Sequence, residues 1–192
     1  MFGLAFAKIR APLRLTPFPG LPLRKSKPLT NEAQAFRYAL WLLTRRPHGS
    51  GELKEKFRRG TLPVAIQEAV LARLEAKKFV NDRDFAERFV LSKRARNWGP
   101  GKIRAGLNQK RISRETIDKT TASLFSSADE KEQAKELLSR QKQRFLRKKE
   151  KKPGDRQAMA FGFLVRKGYS LEAARLAVRE VFSYNSDLPD ER

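Results

Sequence analysis

Three carboxylates lie close together near the middle of the sequence, at Asp82, Asp84 and Glu87. Clustered carboxylates can hold the divalent cations of a two-metal nuclease, which would make this chain an enzyme that cuts phosphodiester bonds. The same residues stand where the first turn of a helix is expected, and acidic side chains are common there because they interact favourably with the helix dipole. We therefore interpret Asp82 as a helix cap and predict that the cluster is structural.

Little else in the sequence offers catalytic chemistry. The only histidine, His48, lies in a Pro-His-Gly sequence that is typical of a surface turn. The chain has no cysteine, which excludes disulfides, thiol nucleophiles and zinc fingers. It also lacks a P-loop, an HExxH pair and a glycine-rich dinucleotide motif. We predict a binding protein rather than an enzyme, with no catalytic residue, no cofactor and no metal.

Positive charge is the strongest feature of the composition. Lys and Arg number 43 against 21 Asp and Glu, which gives a formal net charge of +22. A magnitude of roughly 2 to 8 already serves solubility in a small domain. Because self-repulsion of this size opposes compaction, a polyanionic partner is its simplest explanation. Nucleic acid is the leading candidate, and a membrane surface or an acidic protein surface are the alternatives.

The charge is concentrated in an acid-free stretch, residues 93–114, which holds eight basic residues and no acidic one. Ordinary solvated helices mix both signs. We therefore predict a surface for phosphate or acidic groups here, with a second basic group in the third repeat. A solvated face is the alternative. The predicted contact residues are Lys93, Arg94, Arg96, Lys102, Arg104, Lys110, Arg111, Arg140, Lys142 and Arg144.

The expected contact with nucleic acid is directed at the backbone. Helix N-termini at Gly99 and Asp155 could donate N–H groups to phosphate, and no base-reading motif is present. Binding should therefore depend on salt and ignore sequence. Trp98 could stack on a base, but we favour packing between helices for both Trp98 and Trp41.

Apolar residues recur at helical spacing from about Asn31 to Phe182, and no stretch alternates as a strand would. Aligning the middle turns matches Gly60 with Arg111 and Gly168, at intervals of 51 and 57 residues. In this alignment the first copy is one residue short before Gly60. The pattern indicates an internal repeat of three helices.

We predict an all-α fold of three tandem three-helix repeats that stack lightly into an elongated, curved array. The repeats should span residues 30–80, 81–126 and 127–183. Residues 1–29 are basic and proline-rich and are expected to be a disordered tail, with a DNA-binding arm or a transit peptide as alternatives, and residues 184–192 form a short acidic tail. No apolar run is long enough to span a membrane, and we expect a cytoplasmic monomer.

Four segments resemble the RecX family. FVNDRDFAERFV (79–90) is similar to the family's junction between its first and second repeats, and NWGPGKIRAGL (97–107) is similar to its Gly-Pro-x-x-Ile opening of the middle helix. RRPHGSGELKEKF (45–57) and FLVRKGYSLEAARLAV (163–178) resemble the counterparts in the first and third repeats. The chain departs from the family at Gly106, where Glu is common, and at Lys110 and Arg111, which replace a basic residue followed by Gly.

The resemblance implies three tandem three-helix repeats that lodge in the groove of the RecA filament and contact single- and double-stranded DNA without sequence preference. It implies a regulator of homologous recombination and the SOS response, which modulates the filament's ATPase and strand exchange by inhibition. Two other functions stay open from the residues alone. One is a packaging protein that binds nucleic acid through charge, and the other is a helical nuclease that uses the carboxylates named above.

Overall fold

The computed structural model describes residues 29–147 and 152–183, so the predicted tails lie outside the described residues apart from Leu29. Within these two ranges the chain forms nine α-helices and no β-strand, which confirms the predicted all-α class. None of these helices combines the length and the apolar character that a membrane span requires. The helices are α1 (Glu32–Arg45), α2 (Ser50–Arg59), α3 (Val64–Ala76), α4 (Asp82–Arg94), α5 (Pro100–Gln109), α6 (Arg114–Leu124), α7 (Ser127–Leu146), α8 (Pro153–Lys167) and α9 (Leu171–Ser183).

The helices group in threes, and each group buries its own apolar core. Repeat 1 (α1–α3) is built around Phe57 and Leu74, repeat 2 (α4–α6) around Ile103 and Leu107, and repeat 3 (α7–α9) around Leu138 and its neighbours. These side chains are fully buried, and each contributes roughly 1.5–3 kcal/mol through removal from water. The predicted architecture of three three-helix repeats is confirmed.

Contacts along the chain define two compact units, one ending at Asn81 and the other beginning at Asp82. The first unit contains repeat 1. The second unit contains repeats 2 and 3 together, and the predicted basic stretch falls entirely within it. The residue boundaries given above for the three repeats stay a prediction.

Side-chain caps explain where several helices begin. Asn31 Oδ1 accepts a hydrogen bond from the Gln34 N–H at 2.9 Å, and Ser113 Oγ accepts one from the Thr116 N–H at 3.2 Å. Both satisfy backbone donors that lack a partner within the helix. The prediction that Asp155 caps α8 is wrong. The helix begins at Pro153, whose ring suits the first helical position, and this places Asp155 inside the first turn.

The turn between the second and third helices of each repeat contains one residue with left-handed backbone. Its φ is 58° at Thr61, 57° at Arg111 and 91° at Gly168. The predicted match of Gly60 to these turns is therefore wrong by one position, since Gly60 has φ −82°. With Thr61 in register the first repeat is not short of a residue. Non-glycine residues pay about 1–2 kcal/mol for this conformation, and Thr61 and Arg111 both adopt it.

The residue after each left-handed position is buried, at Leu62, Ile112 and Tyr169. In each repeat its N–H donates to the carbonyl five residues earlier, at 3.2–3.3 Å. The three turns therefore share one geometry. Repeat 3 differs because Tyr169 brings a phenol hydroxyl to a place where the other repeats bury an aliphatic side chain.

Candidate nucleic-acid interface

The predicted basic residues of repeat 2 lie around the two ends of α5. Lys93 and Arg94 end α4, and Lys102 occupies the first turn of α5. Lys110 and Arg111 form the turn that follows α5 at its other end. Because α5 has ten residues, the two groups are about 15 Å apart along its axis. The acid-free stretch is therefore two patches rather than one.

Trp98 organises the first patch. Its ring packs against the core of repeat 2, which confirms the predicted structural role of this residue. The Nζ atoms of Lys93 and Lys102 lie 4.9 and 4.6 Å from the ring centroid. Such cation–π contacts contribute about 0.5–1 kcal/mol each at exposed sites. They hold two ammonium groups in defined places without neutralising either charge.

Arg94 serves the structure. Its Nη1 donates to the carbonyl oxygen of Leu124 at 2.7 Å, and its guanidinium lies 5.0 Å from the ring centroid of Phe125. On the α7 side it approaches Asp129 at 3.7 Å and also bonds the side-chain oxygen of Gln133. The expectation that Arg94 is an exposed residue, with no part in packing, is therefore wrong. It joins α4 to the end of α6 and the start of α7.

Arg104 and Arg96 remain accessible. Arg104 pairs with Asp118 at 2.7 Å, but its side chain is still 45% exposed. An ion pair of this exposure contributes at most about 1 kcal/mol, so the guanidinium can exchange its carboxylate for a phosphate at little cost. Arg96 follows the end of α4 and is exposed.

The helix N-terminus at Gly99 is already occupied by the chain itself. The Gly99 N–H donates to the carbonyl of Lys167 at 2.8 Å, and the Gly101 N–H donates to the carbonyl of Gly168 at 2.9 Å. The start of α5 therefore receives the end of α8, and the partial charges of the two helix ends are complementary. The prediction that this helix start offers N–H donors to phosphate is wrong for these two groups.

A groove of about 680 Å³ opens beside this joint between repeats 2 and 3, and we call it the junction groove. Lys102 and Arg104 of α5 line one part of it, and Arg166 of α8 lines another. Sequence analysis missed Arg166. Its only signal was the basic pair before Gly168, which becomes meaningful only once α8 is known to end against α5.

The second predicted basic group lies on the last turns of α7. Arg140 pairs with Glu136 one turn earlier, Lys142 is half-buried, and Arg144 is exposed near the end of the helix. Cations in this position also suit the helix dipole. Arg140 lies 13 residues beyond Ser127 of the junction groove, which is about 20 Å along the helix. The two predicted groups are therefore separate sites.

The carboxylates that suggested a nuclease are engaged along α4. Asp84 pairs with Arg88 at 3.2 Å and Glu87 pairs with Arg83 at 3.0 Å. Asp82 is the first residue of α4. Across the described ranges no group of three or more acidic or histidine side chains is arranged to hold a metal ion.

His48 is buried, which corrects its predicted place on the surface. Only 5% of the residue is exposed, and its Nδ1 lies 2.8 Å from the carbonyl oxygen of Arg46. At this distance Nδ1 carries the hydrogen and donates it. Desolvation by burial lowers the pKa of His48 below its ordinary value. The residue is a neutral element of the turn between α1 and α2.

Similarity to known proteins agrees with this geometry. The family model described as RecX, second three-helix domain, matches residues 81–120, which include α4, α5 and part of α6. The chain is 35% identical to the regulatory protein RecX of Mycolicibacterium vanbaalenii, over 71% of this chain and 76% of that protein. It is 33% identical to the regulatory protein RecX of Thermobifida fusca, over 84% and 85% of the two chains.

A solved structure has the same fold. The crystal structure of RecX from Lactobacillus salivarius superposes with a TM-score of 0.69, covering 79% of this chain and 97% of that one at 18% identity. Identity of a third over most of both chains, together with this fold, places the relationship at the level of a family. The chain belongs to the RecX family of regulatory proteins.

Proposed function

We propose that this protein binds the RecA filament on DNA and modulates it, inhibiting ATP hydrolysis and strand exchange without chemistry of its own. The observation that carries the proposal is the identity of a third, over most of the chain, to proteins named regulatory protein RecX. A regulator of recombination and of the SOS response acts where the chromosome is, so the proposal includes a cytoplasmic monomer.

The DNA contact is supported by accessible cations in the second unit. Arg96, Arg104 and Arg166 project from repeats 2 and 3, and the ammonium groups of Lys93 and Lys102 are held over Trp98. Such groups bind phosphates of single and double strands alike, which gives affinity without sequence preference. Lys110 and Arg111 offer a further patch. For the protein partner we propose the region of Arg140, Lys142 and Arg144 on α7.

The test is to add the purified protein to RecA assembled on single-stranded DNA and to follow ATP hydrolysis. Inhibition at substoichiometric amounts is the expected result, since one regulator then affects many filament subunits. The net charge of +22 also suits a protein that merely coats nucleic acid. Coating would change the rate only when enough protein is present to cover the DNA, and that outcome would reject the proposal.

A further inference from the structure

The junction groove brings together three cations from two repeats. Lys102 and Arg104 come from α5, and Arg166 comes from α8, more than sixty residues away in sequence. One carboxylate, Glu130, also lines the groove. Its Oε1 accepts the Ser170 N–H at 2.6 Å and so caps the first turn of α9. Three positive side chains against one committed carboxylate make the groove a site for an anion.

Two of the three cations have no competing carboxylate. Among the described residues no acidic side chain pairs with Lys102 or Arg166, and Lys102 contacts only the face of Trp98 through its ammonium group. The partner of Arg104 is Asp118, which does not line the groove. An arriving phosphate therefore gains three cationic donors and displaces at most one weak ion pair.

The shape and the walls of the groove decide what carries the anion. A volume of about 680 Å³ is much larger than one inorganic anion and falls within the roughly 300–1,000 Å³ of sites for organic ligands. Pro100 and Val165 add apolar surface, and Val165 is 37% exposed. Cations beside apolar walls suit a nucleotide, because its phosphate is charged and its sugar is not.

We propose that the junction groove holds one phosphodiester of a nucleic-acid strand on Lys102, Arg104 and Arg166, with the adjoining sugar against Pro100 and Val165. This inference rests on the proposed function and narrows it to a site that exists only when repeats 2 and 3 are joined. Main-chain donors at the groove are already used by helix ends, so side chains hold the phosphate.

The test compares two variants of equal charge in the full chain. The groove variant is K102Q/R166Q. The matched control, R37Q/K77Q, also removes one lysine and one arginine, from exposed positions of repeat 1. In both, Trp41→Phe leaves Trp98 as the single tryptophan, so its emission reports on the contact with Lys102. The ligand is a short oligo(dT).

For the control we expect saturable emission changes and an affinity close to that of the parent. For the groove variant we expect an affinity about tenfold lower or weaker, because charge-assisted hydrogen bonds are lost. Its plot of log affinity against log salt should flatten by about 0.7, the value for one phosphate on a single strand. The conservative variant K102R/R166K should retain binding, and circular dichroism checks that all variants are folded.

Equal affinity and equal salt dependence in K102Q/R166Q and in the control would overturn the assignment while leaving the proposed function intact. Retained oligo(dT) binding with lost inhibition of the RecA ATPase would also overturn it, because the groove would then contact the protein partner. If the parent chain itself neither binds DNA nor alters the ATPase, the proposed function fails first.

Discussion

Gly99 and Gly168 approach so closely that a β-carbon built on Gly99 would lie 2.4 Å from the carbonyl carbon of Gly168. The reverse is equally tight, because a β-carbon on Gly168 would lie 2.4 Å from the backbone nitrogen of Lys102. Both close atoms belong to backbone and cannot rotate away. The end of α8 and the start of α5 therefore meet at a distance that only two glycines allow.

Substitution at this contact should destabilise the second unit. Gly99→Ala forces the two helix ends apart, and we expect a loss of about 1–3 kcal/mol in the free energy of unfolding, as for other overpacked sites. Urea unfolding followed by circular dichroism measures it. Gly154→Ala is the matched control, because nothing lies within 4 Å of its added β-carbon in α8. There alanine should be neutral or stabilising. Equal effects at the two positions would contradict the tight contact.

Arg94 and Arg96 separate structure from binding within one stretch of sequence. Arg94→Ala leaves the Leu124 carbonyl without its donor, and we expect a loss of about 1–3 kcal/mol in unfolding free energy. Arg96 is exposed, so Arg96→Ala should change stability by no more than about 0.5 kcal/mol. Thermal unfolding of the two variants tests this. A stability loss no larger in Arg94→Ala than in Arg96→Ala would show that the bonds of Arg94 do not support the fold.

His48 predicts a dependence of stability on pH. Burial lowers its folded-state pKa beneath the unfolded value of about 6.5, so below that pH the unfolded chain binds the proton more readily. The contribution to stability is therefore complete above about pH 6.5 and decreases as the pH falls, until it levels off below the folded pKa. Unfolding curves collected across this range measure it.

The control for this prediction is His48→Asn, which keeps a donor for the Arg46 carbonyl but does not titrate near neutrality. Because the sequence has a single histidine, this variant should lose most of the pH dependence around pH 6.5. An unchanged pH profile in the variant would assign the dependence to other groups.

Tyr169 carries a buried hydroxyl with no hydrogen-bond partner in the described part of the chain. Burial, with a contribution from Glu130, raises the pKa of Tyr169 to about 12, so the phenol is neutral at ordinary pH. Tyr169→Phe removes an unsatisfied polar atom and keeps the ring, and we expect stability to rise by about 1 kcal/mol. Lower stability in chemical denaturation would mean that the hydroxyl has a partner, such as water.

The sequence predicted the repeats well because each core follows helical spacing, but it misjudged turns whose geometry depends on backbone conformation. Gly60 attracted the alignment because glycine usually occupies left-handed positions, whereas Thr61 adopts that conformation here. Gly106 is explained only by packing. A β-carbon there would lie 2.9 Å from the Phe89 ring and 3.8 Å from the Trp98 ring, so glycine lets both aromatics approach α5.

The candidate site was predicted less completely, for two physical reasons. Charge in a sequence shows which residues are basic but not which of them are used by their own neighbours, and Arg94 is the case in point. Proximity between distant helices is also invisible in one sequence. Arg166 joins Lys102 only because the end of α8 docks on the start of α5, and no local pattern marks that contact.

The hydrogen bonds from the start of α5 to the end of α8 also constrain how the chain is made. Gly99 leaves the ribosome before Lys167 and Gly168 have been added, and at about 5–20 residues per second the interval is about 3–14 seconds. During that time the nascent second repeat holds its apolar core, but the first turn of α5 is hydrated. Translation past Gly168 is therefore what completes a helix begun nearly seventy residues earlier.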